Sequence, residues 1–105
     1  MRKNNILEKF SLKNKTIILT GSAGILGSQY SEMLCEAGAN VILVDTNIIK
    51  NKKLQKKIEN KFKIKCMSFN TDITKKIEIN QMIQDVIKKF KKIDGLVNNA
   101  VYHPK

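Results

Sequence analysis

The sequence predicts an α/β fold with a parallel sheet and crossover helices, and three observations predict it. Short apolar runs alternate with longer segments whose apolar residues recur every three or four positions, the pattern of strands joined by helices. The segment Thr20-Gly21-Ser22-Ala23-Gly24-Ile25-Leu26-Gly27 follows the first apolar run with no spacer, so a strand must turn at once into a helix. The second run, Asn40 to Val44, is continuous rather than alternating, as for a strand covered on both faces.

The elements follow in order. Thr16 to Thr20 is the first strand. From Gly24 to Ala37 the positions Ile25, Leu26, Tyr30, Met33, Leu34 and Ala37 recur at helical spacing and predict an inner stripe, with Gly38 ending the helix. Asn40 to Val44 is the second strand. A lysine-rich helix spans Ile48 to Phe62, with Ile49, Leu54, Ile58 and Phe62 inward and the lysines in solvent. Ile64 to Phe69 is the third strand, leading into the polar loop Asn70-Thr71-Asp72-Ile73-Thr74, where Asp72 or Thr74 caps the next helix. That helix, Lys76 to Lys91, buries Ile79, Met82, Ile83, Val86, Ile87 and Phe90. The fourth strand, Ile93 to Asn98, is interrupted by Asp94-Gly95 and followed by Asn99-Ala100-Val101-Tyr102-His103-Pro104-Lys105.

Composition narrows the class. With 105 residues, 42% hydrophobic and 28% charged, the chain reads as one globular domain, residues 1–105, with 1–10 a flexible lead-in. No stretch approaches the roughly 20 apolar residues of a membrane span, and Met1 to Phe10 lacks the apolar core of a secretory signal, so the expectation is a cytoplasmic protein without membrane contact. Cys35 and Cys66 have no ligand spacing between them and read as buried reduced thiols; no metal site is expected. The net charge of +11 invites a nucleic-acid reading. Against it, Arg2 is the only arginine and the lysines are spread over two helices, poor material for bidentate recognition.

The glycine segment carries chemistry. Gly21 permits the tight turn, Gly24 the approach of a pyrophosphate, and Gly27 close packing of helix on strand. The opening helix leaves free amides and a positive dipole end facing the anion. Asp45, eighteen residues past Gly27, stands where a carboxylate accepts hydrogen bonds from a ribose 2′-hydroxyl and repels a 2′-phosphate. The pattern therefore predicts a dinucleotide site preferring NAD to NADP. A turn acid or helix cap is the competing role for Asp45 at the same position.

These residues resemble the short-chain dehydrogenase/reductase family from about Phe10 onward. Ser11-Leu12-Lys13-Asn14-Lys15 resembles its lead-in, Thr20 to Gly27 its cofactor loop, Asp72 its adenine-side acid and Asn98-Asn99-Ala100 its fourth-strand motif. The resemblance implies a doubly wound Rossmann-type sheet, strand order 3-2-1-4, with NAD across the carboxyl ends of the strands. It implies cofactor contacts from Thr20, Gly21, Ser22, Gly24, Ile25, Leu26 and Gly27, from Asp45, from Asp72 and Ile73, and from Asn98, Asn99 and Ala100. It implies hydride transfer between NAD and a carbonyl or alcohol. Two departures narrow it. The spacing T-G-x-x-G-x-x-G is more typical of sugar-nucleotide epimerases, and Val101 stands where glycine is usual. The mixture is similar to reductases of bacterial surface-sugar and flagellin-modification pathways.

The family's catalytic Ser and Tyr-x-x-x-Lys are expected beyond the fourth strand, and this sequence contains no such pair. Tyr30 has no lysine four residues on, Lys105 lies only three after Tyr102 with Pro104 between, and His103 has no orienting partner. The expectation is therefore the NAD-binding half of such an oxidoreductase, truncated after its fourth strand, with no catalytic residue of its own. The competing expectation is a non-catalytic remnant, or a dinucleotide-binding module completed by a second chain. In either case the fourth strand forms an edge bearing Leu96 and Val97, and self-association follows.

Overall fold

The structure, a computed structural model, describes residues 9–101. Tyr102 to Lys105 and residues 1–8, and with them the expectations for Tyr102, His103 and the start of the lead-in, lie outside the described residues. The elements are β1 (Thr16–Thr20), α1 (Ile25–Glu36), β2 (Asn40–Val44), α2 (Ile48–Phe62), β3 (Cys66–Phe69), α3 (Lys76–Phe90) and β4 (Gly95–Asn98). All strand pairs are parallel and the sheet order is β3-β2-β1-β4, the order the resemblance implies. The register pairs Thr20 with both Val44 and Asn98, so the ends of three strands finish level and their following loops share one rim.

Alternate strand residues supply two cores. Ile17, Leu19, Val41 and Leu43 pack with Cys35 of α1 and with Leu54 and Ile58 of α2. Ile18, Ile42 and Val44 face the other way, onto Met82 and Val86 of α3. β1 and β2 are buried along their length, except for partly exposed Asn40, which explains their unbroken apolar runs. Burying a side chain such as Leu19 or Leu43 contributes about 1.5–3 kcal/mol, and both are fully buried.

Several boundaries and faces differ from the reading of the sequence. α1 turns its small residues Gly27, Ser31 and Cys35 inward and leaves Ile25 82%, Leu26 55% and Met33 64% exposed. At Gly27 even a Cβ would overlap the Gly21 carbonyl oxygen, so the start of this face has no room for a large side chain, while Leu34 further on packs against the core. In α2 the buried residues are Asn51, Leu54 and Ile58, while Ile49 is exposed. In α3 only Met82 and Val86 are buried; Ile83 and Ile87 are exposed.

β3 starts at Cys66 rather than Ile64. Lys63 caps α2 in a left-handed conformation (φ 55°), and Ile64 and Lys65 carry the chain back to the sheet before pairing begins at Val41 and Cys66. Lys91 caps α3 in the same way (φ 70°), so that helix ends at Phe90. β4 starts at Gly95 because Asp94 uses its carboxylate to accept the Thr16 amide at 2.8 Å. Neither Asp72 nor Thr74 caps α3; the cap residue is Lys75, without a side-chain bond, and Asp72 Oδ1 instead accepts the Thr74 amide and hydroxyl at 2.9 and 2.6 Å.

Candidate functional site

The rim formed by the strand ends begins at the turn after β1. Gly21 adopts φ 70°, and a Cβ there would press on the Ala100 backbone at 3.0 Å. The amides of Gly21 and Ser22 both donate to the Val44 carbonyl, at 2.8 and 3.2 Å, which hangs the turn from β2. A Cβ on Gly27 would overlap the Gly21 carbonyl oxygen, so α1 sits directly on the turn rather than on a strand. Gly24 differs from both. Its φ is −75°, and a Cβ would meet only the Gly21 oxygen, at 3.5 Å, an ordinary contact. No protein atom demands glycine at position 24; the space beside it is open.

Gly24 is also the cap residue of α1. No side chain caps that helix, and its first turn carries no acidic residue. Amides in the first turn of a helix have no carbonyl within the helix to bond, so Ile25, Leu26 and Gly27 present donors at the positive end of the helix dipole. That arrangement suits a phosphate-bearing ligand.

Two side-chain groups hold the turn. The Asp45 carboxylate accepts the Ala23 amide on Oδ2 at 2.9 Å and the Asn47 amide on Oδ1 at 2.8 Å. The Ser22 hydroxyl, wholly buried, donates to Asn51 Oδ1 at 2.6 Å, and Asn51 Nδ2 donates to the Leu43 carbonyl at 3.0 Å. Ser22, expected at the cofactor, thus turns its side chain inward. Asn51 was missed because a polar residue in a lysine-rich helix reads as solvent-facing; its place three residues before Leu54 and seven before Ile58 was the available signal.

The fourth-strand motif closes the rim from the other side. Thr20 Oγ1 donates to Asn98 Oδ1 at 3.0 Å and accepts the amides of Asn99 and Ala100 at 3.0 and 3.1 Å. Asn99 Nδ2 donates to the Gly21 carbonyl at 3.2 Å. The glycine turn and the Asn98-Asn99-Ala100 segment are therefore one bonded unit.

Beside this unit opens a cleft of about 310 Å³ lined by Gly21, Val44, Asp45, Thr46, Thr71, Asp72, Ile73, Thr74, Ala100 and Val101. Asp45, Asp72, Ile73 and Ala100, separated in sequence, come together here. Gly24, Ile25 and Leu26 instead stand on the exposed start of α1. The Thr74 hydroxyl and then its amide hold the Asp72 carboxyl below the usual carboxylate range, with Lys75 adding to the effect. Thr46 and Thr71 had no motif to announce them.

Burial pushes the thiols of Cys35 and Cys66 up to about 12, so neither supplies a thiolate at neutral pH. Among the described residues no group of His, Cys, Asp and Glu could hold a metal ion, and no helix is long and apolar enough to cross a membrane.

A family model described as short chain dehydrogenase matches residues 15–105. A diacetyl reductase of Staphylococcus epidermidis is 38% identical over 90 residues, 83% of this chain and 34% of the relative. The post-translational flagellin modification protein A of Campylobacter coli is 34% identical over 89 residues, 85% of this chain and 35% of the relative. The crystal structure of NAD+-bound xylitol dehydrogenase superimposes with a TM-score of 0.82 at 27% identity, covering 87% of this chain and 35% of that one. The chain spans about a third of the length of the curated relatives it matches.

Proposed function

The chain belongs to the short-chain dehydrogenase family, and from that premise we propose that it binds NAD in preference to NADP, as the cofactor-binding part of an oxidoreductase. One observation carries the reading: the uncapped start of α1 adjoins a glycine that no protein contact requires, with the Asp45 carboxylate tied to the same turn. The residues fit a dinucleotide in their donor chemistry. The amides of Ile25 to Gly27 would hold the diphosphate. The Asp45 oxygens each keep a lone pair for a ribose hydroxyl, and no arginine follows Asp45 to receive a 2′-phosphate. Asp72 and Ile73 would meet the adenine end of the ligand, and Asn98, Asn99 and Ala100 would meet its second ribose. When bound, the nicotinamide supplies hydride transfer to or from a carbonyl or alcohol.

The finer reading places the oxidoreductase in the modification of bacterial surface sugars or flagellin. The T-G-x-x-G-x-x-G spacing and the likeness to the Campylobacter coli flagellin modification protein support it. Titration of the purified chain with NADH and NADPH tests the cofactor reading. Tighter NADH binding is expected; no saturable binding of either overturns it.

A further inference from the structure

The buried stripe of α2 contains one polar residue, Asn51, 1% exposed and aligned with Leu54 and Ile58. An apolar side chain would fill that place with a smaller desolvation cost, so core packing alone does not explain an amide there. The bonds of Asn51 do. Its nitrogen is anchored on the Leu43 carbonyl of β2, and its oxygen takes the hydroxyl of Ser22, which is 0% exposed and lies one residue before Ala23 in the glycine turn. No buried side-chain polar atom among the described residues lacks a partner, so the network is complete.

This strut holds the turn at Ser22, two residues before Gly24, where α1 and its free amide donors begin. A donor set already held in its bound geometry avoids the ordering cost of binding. We propose that Asn51 is a positioning residue for the dinucleotide diphosphate, acting through the Ser22 hydroxyl to hold the glycine turn and the first amides of α1 in their binding geometry. The proposal rests on the dinucleotide reading above and adds a residue that lies outside the glycine motif. It separates the two ends of the ligand: the strut serves the diphosphate, whereas the adenosine half meets Asp45, Asp72 and Ile73 in the cleft.

The test uses the 105-residue chain, Ser22→Ala, Asn51→Leu and the double variant. Each is titrated with NADH and, by chemical-shift changes, with adenosine, and amide exchange of the free protein is followed at Ala23 and Gly24. Each single variant is expected to weaken NADH about tenfold, the scale of one hydrogen bond, with adenosine held within about twofold. Exchange at Ala23 quickens in both. The double variant loses no more than the worse single, as members of one network do. Equal losses for NADH and adenosine overturn the proposal in favour of a general structural role, and unchanged NADH affinity overturns it outright. If Asn51→Leu does not fold, Ser22→Ala, which leaves the α2 stripe untouched, decides by the same two ligands. Failure of the unaltered chain to bind NADH overturns the dinucleotide reading itself, a result distinct from intact binding that the variants leave unchanged.

Discussion

Asp45 and Ala23, twenty-two residues apart, are joined by a bond of 2.9 Å from the Ala23 amide to the Asp45 carboxylate. The acid that closes β2 is therefore part of the wall of the glycine turn as well as a candidate ribose acceptor. Removing it perturbs two things at once; asparagine keeps an oxygen for the Ala23 N–H but gives up the acceptor that the Asn47 N–H now has, so it loosens the turn less than alanine does.

NADH is expected to bind more tightly than NADPH. Asp45→Ala should narrow that preference by about 1–3 kcal/mol, the scale of a hydrogen bond to a charged group. It should also weaken both cofactors through the loosened turn. Asp45→Asn should narrow the preference with less overall loss. Calorimetric titration checks all three proteins, and equal affinities in the unaltered chain would remove the assignment of Asp45.

Gly24 and Gly27 should fail differently. At Gly24 an added Cβ meets only the Gly21 oxygen, in ordinary contact, so Gly24→Val should fold with a Tm close to that of the unaltered chain while losing NADH binding. Gly27→Val drives a side chain into the Gly21 carbonyl and should cost on the order of 3 kcal/mol of stability or more. Denaturant melts with NADH titrations distinguish the outcomes; a stable Gly24→Val that still binds NADH would sink the ligand role of that glycine.

Without a Tyr-x-x-x-Lys pair, the purified chain should show no hydride transfer above background with panels of alcohols and ketones, whatever its NADH affinity. Absorbance of NADH at saturating chain concentration is the readout. Turnover that vanishes in Tyr102→Phe would restore Tyr102 and Lys105 as candidates.

β4 is an edge of the sheet, and Leu96 on it is 63% exposed. On the opposite face of β4, Tyr30, Met33, Leu34 and Val97 line an apolar groove of about 160 Å³. Association is expected, restrained by the +11 charge at low salt and promoted as salt screens it. Sedimentation velocity at two ionic strengths should show this, with Leu96→Lys more monomeric. A monomer at both, with β4 amides as protected as those of β1, would refute it.

Asp94 offers a pH test. The Thr16 amide, and after it Lys92, hold the Asp94 carboxyl below its ordinary value of 3.8. A lowered folded value gives stability that is present above 3.8 and lost as pH falls through the folded value. Asp94→Asn should therefore lower Tm near neutrality, and its deficit should shrink as pH drops below 3.8. A constant deficit across that range would remove the charge from the explanation.

The bounds of β1 and β2 were legible because strands covered on both faces must be apolar throughout, those of α2 came from its helical periodicity, and the sheet order came from the family resemblance. The convergence of Gly21, Asp45, Asp72 and Ala100 was legible too, since each loop follows a strand end on one rim. The inner face of α1 was not legible. Hydropathy ranks Ile25, Leu26 and Met33 above Gly27, Ser31 and Cys35, but close approach to the turn selects small residues. Asn51 escaped for a related reason: its polarity is matched by Ser22, a partner twenty-nine residues away that periodicity does not register.

The Thr20 hydroxyl gives the rim a polarity. A hydroxyl has one hydrogen to donate and two lone pairs, and here the Asn99 and Ala100 amides take the lone pairs while Asn98 Oδ1 takes the hydrogen. The rotor has no second setting, and neither does the Asn98 amide, whose oxygen must face Thr20. The chain of bonds runs from backbone donors, through one saturated oxygen, to the Asn98 amide oxygen, so one hydroxyl fixes which way round the Asn98 amide sits.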